Sequence, residues 1–299
     1  MINAKGLTKV FGTLKALDEV DIEIKDGIVF GLVGSNGSGK STLLRLISGV
    51  YTPDGGELLV DNEQVLDNIP LKNKVFFLSD NPYFIHQSNL NEMAAFYNKV
   101  YDNFDIGKFS YLLTIFPINP SMKIQLMSKG MQRQAALILA LSASPQYLLL
   151  DEAFDGLDPV IRGALKKILA DGIAQRGMTV IISSHNLREL EDLCDHVGLL
   201  HQGKLIFSDD LDNLKTRLHK VQIAFAMVPD TSVFEGLDVV KIEKQGSLMH
   251  LVIRGEKQEI LDKLQLLNPI LLETLSPTLE ELFIYEMEVA GYDIHSVIL

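Results

Sequence analysis

Apolar and polar residues alternate over residues 2–7 and 20–24, each stretch bounded by turn-forming residues, and this spacing predicts two half-buried strands. Residues 28–33 break the alternation with a short apolar run, the mark of a strand buried on both faces. The run opens directly into a glycine-rich segment, after which Leu43, Leu44 and Ile47 recur at helical spacing up to Gly49. Strand, glycine loop and helix are therefore expected in that order. Downstream, helices predicted over residues 132–141, 159–174 and 187–193 alternate with apolar strands at 147–150, 179–183 and 197–201. Buried strands separated by helices need crossover connections, which predicts an α/β fold with a largely parallel sheet. Near residue 215 the rhythm stops. Three short strands (221–226, 239–244 and 249–253), a helix (257–267), a strand (270–274) and a helix from residue 277 onward predict a separate small α+β module.

From residue 81 to about 126 the texture is helical and rich in Phe and Tyr, with Pro117 and Pro120 as breaks. These rings suit the core of a compact helical subdomain, or an exposed docking surface to which Tyr97 and Phe104 would contribute.

Composition narrows the partners. The 299 residues are 47% hydrophobic and 22% charged, a globular balance long enough for one large domain and a smaller companion. With 39 acidic against 27 basic residues the net charge is −12, which argues against nucleic acid, because its phosphates are held by clustered Lys and Arg. The longest apolar runs, such as residues 135–141, fall far short of the roughly 20 residues a membrane helix needs. The first residues lack the layout of a secretory signal, and a single cysteine, Cys194, permits no internal disulfide; a reducing cytoplasm is the expected setting.

The glycine-rich segment carries the first chemistry. Gly34, Ser35, Asn36, Gly37, Ser38, Gly39, Lys40 and Ser41, followed by Thr42, satisfy G-x-x-x-x-G-K-[ST] between a predicted strand and a predicted helix. Glycines let successive backbone N–H groups converge on phosphate oxygens, and the helix N-terminus adds a favourable dipole. Lys40 is then placed to reach the terminal phosphates and Ser41 to hold Mg²⁺. Hydrolysis needs a second acidic element, and the strand at 147–150 ends in Asp151 and Glu152. Such a strand delivers both carboxylates to the C-terminal edge of the sheet, where ligands of α/β folds bind. Asp151 would hold Mg²⁺ through water, and Glu152 would polarise the attacking water.

With these elements the chain resembles the ATP-binding cassette (ABC) superfamily over residues 1 to about 210. The resemblance implies a P-loop NTPase cassette with a RecA-like core, an antiparallel β subdomain and a helical subdomain at about 81–145. It assigns residues 1–215 to the cassette and 216–299 to an accessory module. Phe11, in Val10-Phe11-Gly12, stands where the family has an aromatic that stacks on adenine; core packing is the other reading. Residues 127–131 lie where the family's LSGGQ signature belongs and keep Ser128 and Gly130 at a helix start, while Met127, Lys129 and Met131 depart from it. In the family this segment closes on the γ-phosphate bound by the other subunit. Asp155-Gly156-Leu157-Asp158 resembles the loop that crosses the dimer interface, with Asp155 where Ser is usual. His185 matches the switch histidine that holds the γ-phosphate, the water and Glu152 in register. The family's glutamine after the phosphate loop is missing, and Leu78-Ser79-Asp80 stands in its place. Asp80 is expected to meet Mg²⁺ or water, or else to cap a helix ahead of Asn81-Pro82.

The resemblance implies an ATPase using ATP and Mg²⁺, paired with a second ATP-binding subunit (homodimer or heterodimer) and a separate integral membrane permease. The chain would then be cytoplasmic and peripheral on the membrane. Its substitution pattern looks most like the exporter subfamily linked to antimicrobial-peptide resistance, whose members are often found beside GntR-type regulators. Two other classes share the cassette: ABC ATPases that move no solute, and nucleotide-responsive subunits that repress or tether a partner.

Overall fold

The computed structural model describes residues 1–227 and 229–289. Contacts divide the chain into two units, Met1–Ser208 and Asp209–Leu299.

The first unit begins with β1 (Ile2–Phe11), β2 (Leu14–Ile24), β3 (Val29–Val33), α1 (Lys40–Ile47) and β4 (Gly55–Val60). Strands β2, β1 and β4 form an antiparallel sheet in that order. β1 and β2 extend past the alternating stretches because their ladder continues to Phe11↔Leu14, where the side chains are exposed and no apolar pattern is required. Next come α2 (Ile69–Lys74), β5 (Val75–Leu78), α3 (Leu90–Val100), α4 (Ile106–Ile115) and α5 (Lys129–Ser142). Then follow β6 (Tyr147–Asp151), α6 (Pro159–Arg176), β7 (Thr179–Ser184), α7 (Leu187–Glu191), β8 (His196–His201) and β9 (Lys204–Asp210), in which the unit ends at Ser208.

These strands build a second sheet in the order β5-β6-β7-β3-β8-β9, parallel from β5 to β8. Every residue of β3, β6 and β7 is buried, as the apolar runs that fill most of each strand require. Their register pairs Asp151 with Ser183 and Val33 with Ser184, so the three strands end level. The glycine loop, the two acids and His185 therefore leave the sheet side by side at one edge, although they are far apart in sequence.

In the helical segment the aromatics divide. Phe104, Phe109 and Phe116 are buried, and Tyr97 and Tyr101, one helical turn apart, stack on each other at 5.7 Å and against Phe76 of β5. The docking role expected of Phe104 is thus corrected: it is a core residue, 8% exposed. Solvent instead meets Tyr83 (82% exposed), Phe96 and Tyr111.

The second unit contains α8 (Leu211–Arg217), β10 (Leu218–Ala224), β11 (Asp238–Gln245), β12 (Leu248–Arg254), α9 (Lys257–Gln265), β13 (Leu271–Leu275) and α10 (Leu279–Val289). Its antiparallel sheet runs β11-β12-β10-β13. One face buries Val221, Ile223, Met249, Leu251 and Ile253 against Ile260 and Leu264 of α9. On the other face Lys220 Nζ meets Glu281 Oε1 of α10 at 2.5 Å, and the Arg254 guanidinium lies 4.8 Å from the Tyr285 ring centre. Among the described residues no helix is long and apolar enough to cross a membrane.

Candidate functional site

The turn from β3 into α1 depends on two glycines. A Cβ at Gly34 would lie 2.3 Å from Leu200 O, and one at Gly39, which caps α1 at φ 113°, would lie 2.6 Å from Ala16 O. The Gly203 N–H, from the turn between β8 and β9, donates to Ser38 O at 2.9 Å and braces the loop from behind. Asn36 and Gly37 form the exposed tip, while Ser41 and Thr42 stand half-buried in the first turn of α1. Lys40 is only 5% exposed, and its Nζ donates to Gly34 O at 2.6 Å and to Ser35 O at 3.0 Å. Burial holds its pKa below the ordinary ammonium value, against the opposing pull of the Glu152 and Asp151 carboxylates. A buried cation inside a glycine loop at a helix N-terminus is a polyphosphate site.

Asp151 lies alongside. Its Oδ1 accepts from Ser41 Oγ at 3.0 Å and from Ser183 Oγ at 2.6 Å. The residue is wholly buried, and among the described residues its Oδ2 has no partner. Leaving a buried acceptor unpaired costs on the order of 1–3 kcal/mol, and more for a charged group. A hydroxyl beside a carboxylate with one oxygen free is the hard donor set that Mg²⁺ takes, so these residues fit the ion.

Glu152 follows in a left-handed conformation, φ 49°, which costs about 1–2 kcal/mol for a residue with a Cβ. Its N–H is shared between Ser183 O at 3.1 Å and Ser183 Oγ at 3.2 Å, which holds the chain in this turn. The turn brings Glu152 Oε2 to 3.3 Å from Nδ1 of His185, the residue that follows β7. Asp155 completes a cluster in which one ligand atom each of Glu152, Asp155 and His185 lies within 4.8 Å of the others. A partly exposed carboxylate and imidazole in contact can order a water and take its proton.

The other expected positions lie around this edge. Phe11 at the end of β1 is 42% exposed, which removes the core reading; its ring meets Tyr51 edge-on at 5.4 Å. Ser128 caps α5, its Oγ accepting from Met131 N at 3.2 Å. Met127 is buried, so a flexible thioether fills the apolar place where the family has Leu, while Lys129 is exposed. Asp158 caps α6 through two backbone N–H groups at 3.0 Å, ahead of Pro159. Among the described residues no hydrogen bond joins Ser128, Gly130 or Asp158 to the glycine loop of the same chain.

For Asp80 the helix-cap expectation is overturned. Residues 79–88 contain no helix, so it caps none. Its Oδ1 lies 3.8 Å from Arg45 Nη2 on α1, and that cation meets the added negative charge. The Asp80 carbonyl accepts from Arg133 Nη2 of α5 at 3.1 Å, and Arg133 Nη1 donates to Asp155 O. Ser183, Arg45 and Arg133 went unrecognised in the sequence. Ser183 did carry a signal, since Ser183 and Ser184 end an otherwise apolar strand just before His185. Lone cations on helices carry none.

The ABC transporter family profile matches residues 17–155. The ABC transporter ATP-binding protein YtrB of Bacillus subtilis (strain 168) is 30% identical over 284 residues, covering 95% of this chain and 97% of that one. The bacitracin transport ATP-binding protein BcrA of Bacillus licheniformis is 30% identical over 223 residues, 74% of this chain and 73% of that one. Among solved structures, the dimeric post-hydrolysis state of the ATP-binding cassette MJ0796 bound to ADP and Pi shares the fold, with a TM-score of 0.64 and 22% identity over 71% of this chain and 99% of that one. With a buried lysine in a glycine loop and a Ser41–Asp151 pair that fits magnesium, this protein belongs to the family of ABC transporter ATP-binding proteins, whose domain binds ATP with Mg²⁺.

Proposed function

We propose that the chain is the ATP-hydrolysing subunit of an exporter of the antimicrobial-peptide-resistance type, acting with a second ATP-binding subunit on a separate membrane permease. The observation that carries this reading is the single sheet edge on which Lys40, the Ser41–Asp151 pair and the Glu152–His185 contact stand together. Likeness to a bacitracin transport protein supports the link to peptide antibiotics. When bound, ATP with Mg²⁺ supplies the phosphoryl group and offsets its charge. Lys40 exchanges the carbonyls of Gly34 and Ser35 for phosphate oxygens, and Ser41 and Asp151 hold the metal. Glu152 takes the proton of the attacking water, and His185 keeps that water and the carboxylate aligned. Phe11 offers a ring face to the adenine. Ser128, Gly130 and Asp158, at helix N-termini, serve the nucleotide of the partner subunit. Closure of the pair and its reopening after hydrolysis drive the permease.

Co-purification of the full chain from its native membranes tests the assignment. An integral protein recovered with it, together with ATP-dependent movement of a peptide antibiotic out of the cytoplasmic side, is the expected result. Hydrolysis that persists with no membrane partner and no change in antibiotic susceptibility would favour a non-transport ATPase.

The exposed ring of Tyr83, in the loop after Asp80, is the proposed contact with the permease. Tyr83→Ala is expected to leave hydrolysis by the isolated subunit within about twofold, as surface substitutions do. Transport by the assembled complex should fall by a factor of roughly 30, the loss of a ~2 kcal/mol aromatic anchor. Parallel measurement of the two activities checks this.

A further inference from the structure

We propose that Arg133 is a positioning residue for hydrolysis, holding the loop after β5 and the loop after β6 to the helix that Ser128 caps. This rests on the ATPase reading above.

Arg133 is half-buried on α5, four residues into the helix. Its two terminal nitrogens serve different loops: Nη1 donates to Asp155 O, and Nη2 to Asp80 O at 3.1 Å. The acceptors are backbone carbonyls from segments that leave adjacent strands, β5 and β6. A guanidinium spans them because its donors lie in one rigid plane and point to separate places; an ammonium concentrates its donors at one point. Both bonds are charge-assisted, the stronger class.

Each anchored loop leads to the chemistry. Asp155 N donates to Glu152 O at 3.3 Å, and the Asp155 side chain belongs to the cluster with Glu152 and His185. The carbonyl that Arg133 grips therefore belongs to the last residue of the turn that begins at Glu152. On the other branch, the Asp80 carboxylate faces Arg45, five residues beyond Lys40 on α1. α5 also approaches the second loop at its start, where a Cβ on Gly130 would lie 3.7 Å from Gly156 O. Movement of the Ser128 end of α5 thus reaches Glu152 through Arg133. Since misplacement of reacting groups by ~1 Å can cost ~100-fold in rate, loosening this brace has a catalytic effect although Arg133 touches no reacting atom.

The test compares Arg133→Ala and Arg133→Lys in the full chain, with rates normalised to nucleotide-binding sites titrated by a fluorescent ATP analogue. Arg133→Ala is expected to lower kcat about tenfold or more with KM for ATP within about twofold, the split that marks an interaction needed after binding. Arg133→Lys, able to hold one carbonyl at a time, should fall between Ala and wild type. A kcat per binding site within about twofold of wild type for Arg133→Ala would overturn the inference. So would equal falls in ATP affinity and kcat with a lowered Tm, which describe a brace for folding alone. A wild-type chain that binds ATP without hydrolysing it would strike at the ATPase reading itself, and would remove any hydrolysis for Arg133 to position.

Discussion

Glu152→Gln should lower the rate of ATP hydrolysis by about 10²–10⁴, the range a positioned general base supplies, while ATP affinity stays near that of the wild type. The amide is close in size to the carboxylate, and the left-handed turn at residue 152 is held by its own N–H on Ser183, which the substitution leaves in place. The phosphate-binding groups, Lys40 and the Ser41–Asp151 pair, are untouched. What is lost is the proton acceptor beside His185 Nδ1. Reopening follows hydrolysis in the proposed cycle, so the variant should accumulate as a closed dimer with ATP and Mg²⁺, visible by size-exclusion chromatography. Full ATPase activity in this variant would remove Glu152 from the role of base.

Lys40→Ala should have its effect one step earlier, on binding. Its ammonium is buried, and the two carbonyls it now meets belong to the loop itself, so the phosphate contact it can make is charge-assisted and shielded from solvent. Losing hydrogen bonds between charged groups of ~2 kcal/mol or more corresponds to a weakening of at least about 30-fold in ATP affinity. Removal also takes away a cation that the Asp151 and Glu152 carboxylates attract, which adds repulsion toward a polyphosphate. Alanine is a good helix former at the first position of α1, and the glycine turn stays as it is, so circular dichroism should be unchanged. Isothermal titration with ATP and Mg²⁺ checks the affinity; an unaltered Kd would contradict the reading of residues 34–42 as a phosphate loop.

Much of the fold could be read ahead of the structure, for a physical reason. β3, β6 and β7 are buried on both faces, and short apolar runs are hard to mistake when they end abruptly in glycine, acid or serine. The residues at those ends followed, because a parallel sheet places the ends of its strands together. β4, β5 and β9 escaped notice: β5 has only four residues, and β4 and β9 carry mixed faces with exposed positions. The unit boundary at Ser208 lies ahead of residue 215, where the apolar rhythm breaks, because α8 packs with β10, the strand that follows it. Among the aromatics, composition marked a helical subdomain but not which rings face out, since Phe104 and Tyr83 differ only in the elements around them. The contacts of Arg133 lie beyond any sequence pattern: its acceptors are main-chain carbonyls 22 and 53 residues away, and every residue has one.

The order of strands also bears on how the chain is made. β3 has two neighbours, β7 and β8, and it meets them through pairs such as Val29↔Val180 and Phe30↔His196. On a ribosome adding residues at about 5–20 per second, β3 and its glycine loop emerge many seconds before either partner. β7 must then enter between β3 and β6 as the last of those three strands to be synthesised, and β8 and β9 follow it on the far side of β3. The loop is braced only once Leu200 and Gly203 have been added, so ATP retention by ribosome-bound chains of increasing length is expected to begin after the chain has grown past Gly203, when the newborn sheet has gained β8.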